Sequence, residues 1–107
     1  MAAIPITTCR DAVAATWPVD LQEDALTVLV HENRNENPQA VGKPNKDGSR
    51  DYGCFQINDY YHQDFFANND WRDPVANAKF AYQIYQGRIR LGMIGWSAWY
   101  AVQGILW

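Results

Sequence analysis

The sequence has little of what a membrane, metal or nucleic-acid protein needs. No apolar run in its 107 residues approaches the roughly 18 that a membrane-spanning helix requires. There is no basic surplus either. A net charge of −3 and a pI near 5.1 leave no stripe of lysine and arginine to neutralise phosphates, and they also weaken simple electrostatic capture of an anionic polymer. Two cysteines, Cys9 and Cys54, are too few for a disulfide framework, and no C-x-x-C spacing suggests a metal. They leave two readings open: one disulfide, or Cys54 as a small buried hydrophobe. His31 and His62 have no Ser, Cys or second acid arranged around them in sequence, so neither a nucleophilic triad, a metal site nor a cofactor is expected. No repeat, low-complexity tract or linker interrupts the chain, and its length suits one small domain, 1–107, acting as a monomer.

What the sequence does have is aromatic residues, with five Trp and six Tyr exceeding what a small core needs. A helix is expected over Leu21 to Asn33, where Asp20 and Glu23 stand at capping-box spacing. At 100° per residue Leu21, Ala25, Val28, Leu29 and Glu32 share one face. Leu26 and Val30 broaden that apolar surface, so the helix should be buried on most sides. Glu32 then points towards the core. It can reach solvent at the helix end or pair with Arg34, or it can be a desolvated acid whose pKa is raised so that it stays protonated near neutrality.

From Asn35 to Asn58 the composition turns to Asn, Pro, Gly, Lys and Asp, which signals turns and short strands. Asp47-Gly48 reads as a tight hairpin turn, with strands over Ala40 to Val41 and Gly53 to Ile57 and Asp51 near an exposed edge. Asp51 alone could be an ordinary turn residue. Beside Glu32 it completes a pair of carboxylates, one dry and one wet, which is the equipment of glycosidic bond cleavage. The amides Gln56 and Asn58 lead directly into Tyr60, Tyr61 and His62, a platform on which sugar rings can stack, while Phe65 and Phe66 read as core. Asp73-Pro74 opens a second major helix, a scaffold element ending before Gly87, and Trp96 to Val102 reads as a short helix with core indoles.

These residues carry a resemblance. Asp47-Gly48-Ser49-x-Asp51-Tyr52-Gly53-x-x-Gln56-Ile57-Asn58 resembles the D-G-S-T-D-Y-G-x-x-Q-I-N signature of chicken-type lysozymes. Glu32 followed by Asn37-Pro38-Gln39-Ala40-Val41 is similar to the E-S-x-x-N-P-x-A-V pattern of soluble lytic transglycosylases, and Pro74 to Lys79 and Gly95 to Trp99 resemble later family segments. The resemblance implies an α+β lysozyme-like fold, with a mainly helical body and a short antiparallel β-hairpin lobe forming a substrate cleft. It implies a muramidase that hydrolyses the β-1,4 bond between N-acetylmuramic acid and N-acetylglucosamine in bacterial peptidoglycan. Glu32 matches the general acid/base and Asp51 the second catalytic carboxylate. Gln56 and Asn58 match residues that position substrate and orient the second acid, Tyr61 and His62 match sugar-stacking positions, and Trp99 matches an indole beside the general acid.

Three departures shape the expectations. One extra residue between Glu32 and Ala40 keeps Glu36 as an alternative acid, although its Asn-rich turn offers no apolar face to raise its pKa. The cystines of animal chicken-type lysozymes are missing, which suggests a microbial or viral relative acting at the bacterial wall. The first residues, Met1-Ala2-Ala3-Ile4-Pro5-Ile6, do not read as a secretory signal, so either such a signal has been trimmed or the protein reaches the wall by another route. Only Tyr100 is a candidate for the transglycosylase A-Y-N-x-G tyrosine. Hydrolysis is thus favoured over anhydro-sugar formation by a lytic transglycosylase, and a non-catalytic wall-binding module is the third reading.

Overall fold

Thr8 opens the first helix by accepting a hydrogen bond from the Asp11 N–H at 3.1 Å, an N-cap that satisfies one of the free donors of the first turn. The computed structural model describes residues 4–107, so the reading of Met1 to Ala3 lies outside it. Helix α1 (Cys9–Thr16) has no counterpart in the sequence expectations, because eight residues are too few to show a clear period. A 3-10 turn (Val19–Leu21) then leads into α2 (Gln22–Glu32), so the expected capping box is not formed. Asp20 lies in the tight turn, and the cap position falls to Leu21, whose side chain bonds nothing there. Ala25, Val28 and Leu29 are fully buried as their spacing requires, but Val30 is exposed, so α2 buries one face and not most of its surface.

Strands β1 (Asp51–Tyr52) and β2 (Ile57–Asn58) pair antiparallel, Asp51 opposite Asn58 and Tyr52 opposite Ile57. On its other side β1 meets the 40–42 segment, through an isolated bridge between Val41 and Tyr52 and a bond from Gly42 N–H to the Asp51 carbonyl at 2.8 Å. Asp51 is therefore in the middle of the lobe, not at an exposed edge. The Asp47-Gly48 turn forms with Gly48 at φ +86°, but the strand expected over Gly53 to Ile57 is mostly a turn. Gly53 sits at φ +77°, and a Cβ there would overlap the Asn77 amide and approach the Trp71 carbonyl to 2.7 Å.

Helix α3 (Gln63–Asn68) buries Phe65 fully and Phe66 partly, the latter edge-on to Tyr52 with centroids 5.2 Å apart. Asp73 caps α4 (Pro74–Arg90) through the Val75 N–H, with Pro74 at its first position as read from the sequence. The helix does not stop at Gly87. It runs on to Arg90 and ends at Leu91-Gly92, carrying Gly87 within its last turn. The expected helix over Trp96 to Val102 is two 3-10 turns, Gly95–Ala98 and Tyr100–Val102.

The core lies between α1, α2 and α4 and is rich in rings. Trp17 stacks on Trp96 with centroids 5.4 Å apart and planes 7° apart, and its Nε1–H donates to the Ala78 carbonyl at 3.0 Å. Cys9 and Cys54 are both fully buried and joined as a disulfide, which decides between the two readings of the cysteines.

Asn77, fully buried on α4, fastens the same turn. Its Oδ1 accepts from Phe55 N–H at 2.8 Å, and its Nδ2 donates to the carbonyls of Tyr52 at 3.1 Å and Trp71 at 3.2 Å. Asn77→Ala leaves all three groups without that partner, and a loss of about 2–3 kcal/mol is expected. The urea midpoint measures it. An unchanged midpoint removes Asn77 from the account of this turn.

Candidate active site

The site residues matched by the resemblance reach one cleft, whereas Tyr60, expected in the sugar platform, does not line it. The cleft has a volume of about 1040 Å³, and Glu32, Asp51, Gln56, Asn58, Tyr61, His62 and Trp99 all line it. Glu32 comes from the last residue of α2, Asp51 and Asn58 from the paired strands, and Tyr61 and His62 from the segment entering α3.

The two carboxylates differ in the way their positions demand. Glu32 sits where the apolar face of α2 meets the lobe, and burial pushes its carboxyl up to about 7, with the charge of Asp51 adding to the rise and His31 opposing it. Asp51 instead accepts a hydrogen bond from Asn58 Nδ2 at 3.0 Å. The same Nδ2 donates to Ser49 Oγ at 3.0 Å, and Asn58 Oδ1 accepts from the N–H groups of Tyr60 at 2.9 Å and Tyr61 at 3.1 Å. With both ends of its amide engaged, Asn58 fixes Asp51 and the entry to the tyrosines together.

Ser49 extends this network. It is buried, its Oγ accepts from Asn45 Nδ2 at 3.2 Å, and its hydroxyl donates to Asp47 Oδ1 at 2.5 Å. The bonds from Ser49 hold the Asp47 carboxyl below its ordinary range.

Gln56 has φ +54°, and its Nε2 donates to the carbonyls of Gly53 at 3.0 Å and Ala40 at 3.4 Å. It therefore braces the lobe as well as lining the cleft. Tyr61 is 71% exposed and edge-on to Tyr60, leaving a ring face open to solvent. His62 is half-buried against Phe80, and burial lowers its pKa, opposed by Asp64 and reinforced by Arg88. Trp99 is only 5% exposed, packed against Phe55 and Trp96, so it contributes an edge to the wall and most of its ring to the core.

Glu36, the alternative acid, does not line the cleft. It makes a two-pronged pair with Arg10, both bonds 3.0 Å, at φ +50° in the turn after α2. Arg34 forms no ion pair with Glu32.

The sequence reading missed the wall contributed by α4. Ile84, Gly87, Arg88 and Leu91 all line the cleft; ending the helix at Gly87 concealed Arg88 and Leu91, and reading the rest as scaffold passed over Ile84. Asn45 and Ser49 were missed as site residues although Ser49 stands inside the quoted signature. Among the described residues no cluster of three metal-ligating side chains occurs.

Comparison with known proteins adds independent findings. A family model described as a lysozyme-like domain matches residues 22–99. Lysozyme 2 of Lucilia sericata is 33% identical over 82 residues, covering 68% of this chain and 56% of that protein. Lysozyme X of Drosophila melanogaster is 44% identical over 68 residues, covering 55% and 46%, respectively. The chain thus spans about half the length of these relatives. A crystal structure of a lysozyme from Litopenaeus vannamei superposes with a TM-score of 0.64 at 21% identity, over 97% of this chain and 89% of that one, a likeness of fold.

Proposed function

Because this chain belongs to the lysozyme-like domain family, matched over residues 22–99, we propose that it is a muramidase that cleaves the glycan strands of bacterial peptidoglycan. The observation that carries this reading is the pairing, in one cleft, of a carboxyl held protonated by burial with a carboxylate fixed by an asparagine amide. Glu32 donates its proton to the leaving glycosidic oxygen, and Asp51 stabilises the oxocarbenium-like transition state or attacks it as nucleophile. Glu32, now ionised, then takes a proton from water, which attacks with retention of configuration. These roles are carried over from the lysozymes, which are themselves the type case for this division of labour. Asn58 positions Asp51, Tyr61 and His62 form the sugar platform, and Gln56 keeps the lobe in register.

The acid is Glu32 and not Glu36 in this proposal, since the Arg10 pair holds Glu36 away from the cleft. In this proposal residues 1–107 form one domain that works as a monomer, outside the reducing cytoplasm, where a buried disulfide persists.

Mass spectrometry of muropeptides released from purified peptidoglycan tests the proposal. Hydrolysis gives reducing-end muramic acid with one water added per cut. Release as 1,6-anhydro ends replaces hydrolysis with transglycosylation, and sedimentation with the wall without release leaves only a binding module.

A further inference from the structure

Arg88, on the wall of the cleft, is a cation without an ion-pair partner among the described residues. The charged groups lining the cleft are the acids Glu32, Asp47 and Asp51 together with Arg88, and Arg88 is the lone Lys or Arg among the described lining residues. The ion pairs of the described residues join Arg10 to Glu36 and Arg72 to Asp70, so Arg88 has no carboxylate partner. Its hydrogen bond goes to the Met93 thioether at 3.6 Å, a weak acceptor that leaves most of a five-donor guanidinium unengaged. It projects from the last turn of α4 beside Gly87, whose missing side chain leaves the adjacent wall open, and shares the cleft with His62 and Tyr61. An added Cβ at Gly87 would meet only Arg90 Nη2, at 3.8 Å.

We propose that Arg88 is a specificity-determining residue, whose guanidinium binds a carboxylate carried by the glycan and so favours acidic, muramic acid-containing strands over neutral N-acetylglucosamine polymers. The proposal rests on the reading of the cleft as a glycan site. A neutral chitin strand offers hydroxyls and acetamido groups alone. A peptidoglycan strand carries a lactyl ether on every second sugar, ending either in a free carboxylate or in a stem peptide that bears carboxylates of its own. Either source gives the planar acceptor that a guanidinium engages through two parallel bonds. In a protein of net charge −3, general attraction to an acidic wall is absent, and a single placed cation supplies the discrimination locally. Burial keeps the neighbouring His62 from competing as a second cation near neutral pH.

Isothermal titration calorimetry at pH 7 tests this in a Glu32→Gln background, which suppresses turnover. The ligands are chitotetraose, an N-acetylglucosamine–N-acetylmuramic acid tetrasaccharide with free lactyl carboxylates, and the same tetrasaccharide with its stems attached. Arg88→Gln is expected to weaken binding of a carboxylated ligand about tenfold and to leave chitotetraose unchanged, with Arg88→Lys recovering part of the loss. Dependence confined to the stem-free ligand identifies the lactyl carboxylate as the group bound, and dependence with the stemmed ligand identifies the stem. Equal weakening of all three ligands, or none, overturns the proposal; equal weakening makes Arg88 a wall residue that merely shapes the cleft. Thermal melts of each variant confirm folding, and Arg88→Lys decides the matter if Arg88→Gln does not fold. Failure of the two readings is separable. Product release by the unsubstituted protein with no Arg88 dependence removes this inference alone, whereas Arg88-dependent binding without product release by that protein removes the muramidase reading alone.

Discussion

Glu32→Gln is expected to lower muropeptide release by about 10²- to 10⁴-fold while making the protein more stable at neutral and alkaline pH. The first effect follows from chemistry: the amide keeps the shape of the acid but has no proton to give. The second follows from linkage. The folded carboxyl titrates at about 7 against an ordinary 4.5, so its contribution to stability is fully present below about 4.5 and is lost as pH rises through 7. Above that pH the folded protein carries a desolvated charge close to Asp51, at a cost of about 3 kcal/mol relative to the neutral group. Glutamine does not titrate, so the variant and the parent should have matching thermal midpoints near pH 4 and diverge above pH 7. For the same reason the parent's kcat/KM should fall as pH rises through about 7, where the acid loses its proton. Activity that survives in Glu32→Gln and disappears in Glu36→Gln would transfer the acid to Glu36.

Loss of the Cys9–Cys54 bond should produce the other large effect. The cysteines are 45 positions apart, and closing a loop of that size contributes about 4 kcal/mol in the chain-entropy account. That is a large part of the total stability of a domain this small, so Cys9→Ser is expected to lower the melting temperature by on the order of 20 °C. Activity should fall further than the unfolded fraction alone requires. Cys54 belongs to the turn between β1 and β2, so the bond ties the strands carrying Asp51 and Asn58 to α1. Melting curves and wall-clearing rates with and without reductant measure both effects. A reduced protein that melts and clears walls like the oxidised one would show that the bonds from Asn77 hold the turn without help.

How much of this was legible in the sequence depended on whether the signal was local. Glu32 was found because Ala25, Val28 and Leu29, buried at helical spacing, fixed the face of α2, and Asp51, Gln56 and Asn58 because a continuous motif specifies a turn. The part of the wall formed by Arg88 and Leu91 escaped because glycine is a weak stop signal inside a helix that tertiary packing supports from one side. The two asparagines that fasten the lobe were equally invisible. Asn33 follows Glu32 directly, and its Nδ2 donates to the Asn37 carbonyl at 2.8 Å and to those of Gly53 at 3.3 Å and Cys54 at 3.4 Å. Its Oδ1 accepts from Asn37 N–H at 3.1 Å. Nothing about an asparagine in an Asn-rich stretch announces partners 20 residues away. The expected capping box failed for a related reason, since Asp20 and Glu23 had the right spacing but the chain entered α2 through a 3-10 turn.

The covalent ring closed by Cys9 and Cys54 contains both Glu32 and Asp51, and it also contains the exposed 43–48 segment with Lys43 and Lys46. Such a segment is where a trypsin-like protease cuts first. Pro44 shields the bond after Lys43, whereas cleavage after Lys46 opens the backbone but releases nothing, because each fragment keeps one end of the disulfide. A nicked molecule therefore keeps Glu32 and Asp51 covalently joined in one particle for as long as its surroundings stay oxidising.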